Sequence, residues 1–160
     1  MRLVQISLIT AGLIFSTHGI FSATASIGWV NPDNYTDIKN PTSQGRKAYR
    51  ERVFGNLESQ LAELAEQLPE SQHLTISVTD LKLAGRLRGN KVRVDPYVYP
   101  PRISFRYQLS DSQGESLNQG EEKLTGQRSS APRGHSTNDI SFYYEKALLT
   151  DWFNNALINK

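Results

Sequence analysis

The sequence predicts an α+β fold, a mostly antiparallel sheet of about four strands with two helices packed on one face. Three observations carry this expectation. Two long segments, one before the middle and one at the C-terminus, repeat apolar residues at helical spacing. Between them lie runs in which apolar and polar residues alternate, as on a half-wet strand. A turn sequence joins two of those runs as a hairpin.

The chain opens on a leader. Arg2 gives a small positive start, and Leu3 to Phe21 is largely apolar, with no acid and no further base. Ala23-Thr24-Ala25 then supplies the small-x-small pattern that signal peptidase accepts. The expectation is a cleaved secretory signal over 1–25 and a single periplasmic α+β domain over 26–160. The rival, an uncleaved anchor, is weakened by Gln5, Gly12, His18 and Gly19 in a stretch barely as long as the ~20 residues a span needs. No transmembrane segment is then expected in the mature protein. There is no Cys, so no lipoprotein attachment, disulfide, thiol catalysis or Cys metal site is expected either. The remaining domain must fold on its core alone, and it is long enough to do so.

Ile27 to Ile38, IGWVNPDNYTDI, starts with a short apolar run that can pair as a strand and ends at Pro32. Asn31, Asp33 and Asn34 are turn chemistry, because their side chains bond nearby backbone. Asn34-Tyr35-Thr36 matches a glycosylation sequon and reads as a coincidental polar loop. Asp33 and Asp37 lack the further acids and the glycine of a calcium loop. Thr42 or Ser43 can cap a helix. Tyr49, Val53, Leu57, Leu61, Leu64 and Leu68 then mark its apolar face, and Pro69 stops it.

Leu74, Ile76 and Val78 alternate with Thr75, Ser77 and Thr79 in the next strand. One more step of alternation puts Asp80 on the apolar side, which raises the question of a working acid. The reading adopted is a strand terminator that bonds the following turn or pairs with Arg86 or Arg88. Leu81 to Gly89 breaks the alternation, and Lys91 to Asp95 resumes it. Pro96, Pro100 and Pro101 mark an edge or a connection. Arg102 to Leu109 is the clearest strand. The turn Asp111-Ser112-Gln113-Gly114 leads to a partner from Ser116 to Thr125. After the polar loop Gly126 to Asn138, a last helix is expected from about Asp139 to Ile158, capped by Asn138 or Asp139. Tyr144, Leu148 and Trp152 form one row, and Leu149, Phe153 and Leu157 another.

Chemistry is sparse. Past the leader the histidines are His73, at a strand start, and His135, in the polar loop. No nucleophile elbow or H-E-x-x-H run occurs. Glu121 and Glu122 are adjacent on a strand and so face opposite ways, which makes no dyad. Charge is informative by region. From Lys82 to Arg106 stand seven basic residues against Asp95 alone, in a chain with 18 Lys+Arg and 16 Asp+Glu. Arg86, Arg88, Lys91, Arg93, Arg102 and Arg106 are the candidates for binding an anionic partner, with Lys91 and Arg93 expected on a wet sheet face. The plain competitor is a solvated surface balanced by acids nearby. Tyr97 and Tyr99 beside the strip suggest nucleic acid. Export, and the core-facing alternation of Phe105 and Tyr107, oppose that partner. Asp151 is expected to accept a bond from an aromatic polar tip in the last helix.

WVNPDNYTDI, LPESQHLTISVTDLKLAG, PRISFRYQLSDSQGESL and YYEKALLTDWF, in this order and spacing, resemble a family of exported proteobacterial proteins classed as a domain of unknown function. The resemblance spans nearly all of 26–160. It implies a signal peptide and a one-domain periplasmic body, and no reaction. Similar proteins tend to carry an acid where Lys82 stands and another where Thr125 stands. An acidic metal centre at the strand end would need both, so no metal or cofactor is expected.

The expectation is therefore a non-enzymatic accessory protein of the cell envelope. Its basic sheet surface would bind lipopolysaccharide, anionic lipid or another envelope protein, and no nucleic acid. The alternative is a small periplasmic hydrolase using acids near Asp80.

Overall fold

The structure, a computed structural model, describes residues 24–38, 43–88, 92–96, 98–126 and 142–159. Strand β1 (Thr24–Trp29) leads through a short 3-10 turn, Pro32–Asn34, to helix α1 (Ser43–Ala65). Strands β2 (His73–Lys82), β3 (Arg86–Arg88), β4 (Val92–Val94), β5 (Arg102–Ser110) and β6 (Ser116–Thr125) follow. Helix α2 (Tyr143–Phe153) closes the chain and runs on into a π-helical turn, Asn154–Ile158.

The fold is α+β, with a main sheet ordered β1-β2-β5-β6 and a separate pair β3-β4. The expected antiparallel character holds for β2 with β5 and for β5 with β6. It fails for β1, which pairs with β2 in parallel, so the sheet is mixed. Parallel neighbours need a long crossover, and α1 supplies it. The Lys91–Asp95 run was expected in this sheet. Its described part instead pairs with Arg86–Arg88 as a short hairpin, and β1 takes the fourth place.

Both helices and one sheet face make the core. α1 contributes Val53, Leu57, Leu61 and Leu64 at the predicted spacing. The sheet contributes Leu74, Ile76, Val78, Ile103, Phe105, Tyr107 and Leu109, all buried. Trp29 stacks on Phe54 with ring centroids 3.7 Å apart and donates Nε1–H to Glu58 Oε1 at 2.8 Å, which fastens β1 to α1. Trp152 of α2 meets the rings of Phe105 and Tyr107 edge-on at 4.7 and 5.1 Å. Edge-to-face contact puts the positive rim of one ring on the negative face of another.

Two boundaries differ from expectation. α2 begins at Tyr143, behind Phe142 in a left-handed conformation (φ 62°). The expected caps, Asn138 and Asp139, lie outside the described residues. In β2 a bulge falls between Val78 and Asp80. The extra residue shifts the alternation by one, so Leu81 becomes the buried residue and Asp80 pairs with Ser104 on the wet side.

Candidate functional site

The stretch after β1 is a brace along the end of β2. Tyr35 is fully buried, and its hydroxyl donates to the Val78 carbonyl at 2.7 Å, at the bulge. Burial pushes the Tyr35 pKa up to about 12. Thr36 donates its backbone N–H to Asp80 Oδ1 at 2.6 Å and its hydroxyl to Oδ2 at 2.8 Å. Asp80 is thus a strand-end acceptor, but its donors come from Thr36 and not from the following turn. Asp37 N–H donates to the Leu81 carbonyl at 3.1 Å, and Asp37 Oδ2 accepts the Leu83 N–H at 3.1 Å. Asp33 ion-pairs with Arg50 at 2.6 Å. The polar loop of the sequence reading is therefore bonded side chain by side chain to β2 and α1.

Arg93 departs from its expected place on a wet face. Its side chain is 18% exposed, and Nη2 lies 2.7 Å from Asp37 Oδ2. That is an ion-pair contact off the line of a hydrogen bond. Nη1–H faces the carbonyls of Leu83, Ala84 and Gly85 at 3.4, 3.2 and 3.1 Å. Burial opposes the charge on Arg93, but Asp37 and Tyr49 outweigh it and raise its pKa. On the other side of this bend, Glu145 of α2 is 2% exposed, and its Oε1 accepts the Ala84 N–H at 2.5 Å. Burial pushes the Glu145 carboxyl up. Lys82 donates Nζ–H to the Pro100 carbonyl at 3.0 Å, and burial lowers its pKa. This junction binds three segments of the chain to one another. Its carboxylates are engaged by protein donors, which suits a structural role.

The sequence reading missed Glu145, although the signal was present. The row Leu149, Phe153 extends back four residues to Glu145, and Glu145, Leu149, Trp152 and Phe153 are buried together. Trp152 Nε1 is buried without an acceptor, so Trp152 is not the aromatic tip that donates to Asp151.

The remaining basic candidates separate into two places. Arg86 and Arg88 stand exposed on β3. Arg102 and Arg106 stand exposed on the wet face of β5. Lys91 lies outside the described residues. The strand register adds two lysines to the second group. Lys82 pairs with Arg102, and Lys123, exposed on β6, pairs with Ser104 between Arg102 and Arg106. Lys123 falls outside the basic window of the sequence, and only strand pairing brings it in. Arg106 Nε lies 3.6 Å from Glu121 Oε2 on the neighbouring strand. Toward the other end of the same face, Thr75, Ser77, Arg106, Gln108, Gln119 and Glu121 line an open depression of about 490 Å³. Beyond it His73 Nδ1 bonds Thr24 Oγ1. Among the described residues no group of three or more His, Asp or Glu gathers as a metal site would require.

The architecture places three of the four quoted sequence pieces around one junction, and the fourth runs beside it as β5 and the turn after it. The match extends along the chain, from residue 23 to residue 155. The chain belongs to the family described as Protein of unknown function (DUF3016). No curated protein matches this DUF3016 member. Similar solved structures include a single-substitution variant of the PelC dodecamer from Paraburkholderia phytofirmans, with TM-score 0.35 and 14% identity over 83% of this chain and 82% of that one. The PelC dodecamer in another crystal form gives 0.31 and 13%, over 82% and 86%. A minor lipoprotein from Acinetobacter baumannii gives 0.27 and 12%, over 83% and 87%. The likeness is remote in all three.

Proposed function

We propose that this DUF3016 protein is an exported, non-enzymatic binding protein of the cell envelope. It holds an anionic envelope component on the open face of its four-stranded sheet. The observation that carries the reading is the register that sets Lys82, Arg102, Arg106 and Lys123 side by side on that face. Two acids share the face: Glu121, which ion-pairs with Arg106, and Asp80, whose oxygens accept from Thr36. Clustered cations attract phosphate and carboxylate groups and hold them by charge-assisted bonds. The hydroxyl and amide groups of Thr75, Ser77, Gln108 and Gln119 supply neutral partners beside them. The leader over 1–25, with its Ala23-Thr24-Ala25 site, supports export to the periplasm; cleavage after Ala25 would leave Ser26–Trp29 as the β1 of the mature protein.

The hydrolase reading has less behind it. Both oxygens of Asp80 accept from Thr36, and the bulge turns Asp80 away from the core.

The test is retention of the purified protein on immobilised lipopolysaccharide over a salt series. Changing Arg102, Arg106 and Lys123 to Ser is expected to weaken retention at least tenfold and to flatten its salt dependence. Unchanged retention would reject this reading.

A further inference from the structure

We infer that the open depression on the sheet face is a sugar-binding subsite, so that the anionic partner is an envelope glycan carrying phosphate or carboxylate groups. The inference rests on the reading of that face as an anion-binding surface and narrows its ligand.

The face changes character along its strands. On β5 the cations stop at Arg106, and the next outward residue is Gln108. There the register sets Thr75, Gln108 and Gln119 side by side on three neighbouring strands. The adjoining row is Ser77, Arg106 and Glu121. Side chains alternate sides along a strand, and Ile76 and Tyr107, between the rows, are buried in the core. The two rows therefore share the open face, and all six residues line one depression of about 490 Å³. Among the described residues nothing bonds the side chains of Ser77, Gln108 and Gln119. Thr75 Oγ1 accepts a long bond from Ser26 Oγ at 3.5 Å. Arg106 and Glu121 meet at 3.6 Å with side chains 70% and 53% exposed, so both keep bonding capacity for a ligand.

The lining mixes donors and acceptors. Each hydroxyl donates once and accepts twice, and each amide offers both an NH2 and a carbonyl oxygen. A bare phosphate would use Arg106 and leave the amide oxygens and Glu121 idle. An acyl chain would cover polar groups and return no hydrogen bond to any of them. A sugar carries several hydroxyls, each both donor and acceptor, and so answers the whole lining. Glu121 accepts from such hydroxyls, Arg106 donates to them, and the amides do both. Neighbouring strands lie about 4.8 Å apart, a spacing that one sugar ring bridges. The volume falls within the usual ~300–1,000 Å³ of small-ligand sites. Because the depression is open, a glycan chain can continue along the face to Arg102 and Lys123, where its charged groups meet cations.

The test starts from the purified protein bound to immobilised lipopolysaccharide and compares displacement by glucose 6-phosphate and by inorganic phosphate at matched ionic strength. The sugar phosphate is expected to displace the protein at a concentration about fivefold lower or less. Gln108→Ala with Gln119→Ala should weaken retention on lipopolysaccharide by about fivefold or more while keeping its salt dependence. The same variant should stay within about twofold of the parent on immobilised polyphosphate, which has charge and no sugar. Circular dichroism and the urea midpoint establish that each variant is folded. Equal displacement by the two phosphates would overturn the inference. So would an amide variant that binds lipopolysaccharide as well as the parent, or one that loses both matrices equally. In those cases a salt-dependent loss on changing Arg102, Arg106 and Lys123 to Ser would still uphold the anion-binding reading. Undiminished retention by that basic-residue variant would reject the reading and the inference together.

Discussion

Glu145 and Ala84, 61 residues apart, meet through a bond of 2.5 Å in which the Ala84 N–H donates to a carboxylate that is 2% exposed. One buried acid thus ties α2 to the bend after β2. Glu145→Ala leaves a buried N–H without its acceptor and is expected to cost about 1–3 kcal/mol. Glu145→Gln keeps an acceptor oxygen and should cost clearly less. Urea unfolding of the two variants measures the difference, and equal losses would contradict the role given to this bond.

The same residue makes stability depend on pH. Burial holds the folded carboxyl above its ordinary value of 4.5. Between that value and the raised one, the folded protein keeps a proton that the unfolded chain has released. The contribution is therefore full below the unfolded pKa and is lost as pH rises through the folded one. Relative to Glu145→Gln, the parent protein should lose stability as pH rises from the ordinary carboxyl value of 4.5 through the raised one. Urea midpoints of both proteins over that range check this, and a constant difference would refute it.

Arg93 offers a sharper structural test. Its guanidinium serves Asp37 and three backbone carbonyls at once. Arg93→Ala strands a partly buried Asp37 and should cost about 3–5 kcal/mol. Arg93→Lys keeps the charge without the fork and is expected to fall between. Thermal unfolding ranks the three proteins, and a lysine variant as stable as the parent would show that charge alone suffices.

Thr36 and Asp80 form two bonds across 44 residues. A double-mutant cycle with Thr36→Val and Asp80→Ala should give a coupling of about 0.5–3 kcal/mol. Additive losses would mean that the hydroxyl bond contributes nothing measurable and that Asp80 is held from this side by the Thr36 N–H alone. The backbone bond from Thr36 N–H survives the valine change, so the cycle reads the hydroxyl bond.

Gly85 sits at φ +78°, and a Cβ there would lie 2.7 Å from the Val94 carbonyl oxygen. Gly85→Ala is expected to destabilise by about 1–3 kcal/mol through strain alone. It should also loosen the β3–β4 hairpin, seen as faster amide exchange in Arg86–Arg88. Unchanged exchange would mean that the hairpin does not depend on this bend.

How much of this was legible depends on which forces leave a mark in sequence. β2, β5, β6 and the buried face of α1 follow from alternation and helical period, because each buries one face. The parallel place of β1 was hidden, since six residues carry little pattern and partner choice is a tertiary matter. The Val78–Asp80 bulge was hidden for the same reason. It reverses the facing of Asp80 without altering a single residue type. Glu145 was legible in principle, at the head of an apolar row, but a charged residue there breaks the pattern that identifies the row. The basic window marked Arg102 and Arg106 but also included Arg93, whose partner Asp37 is distant in sequence. It could not include Lys123, which strand pairing alone brings alongside.

The central claim is that the sheet face, and not charge in general, holds the anionic partner. Its most direct test compares lipopolysaccharide retention over a salt series for two charge-matched variants. One has Arg102, Arg106 and Lys123 changed to Ser; the other has Arg86 and Arg88 changed to Ser and Lys47 to Ser on the exposed side of α1. The expected result is a loss of at least tenfold with a flattened salt response for the first variant, and retention within about threefold of the parent for the second. Equal losses would mean that net charge governs binding, and retention by the first variant would remove the sheet face from the function.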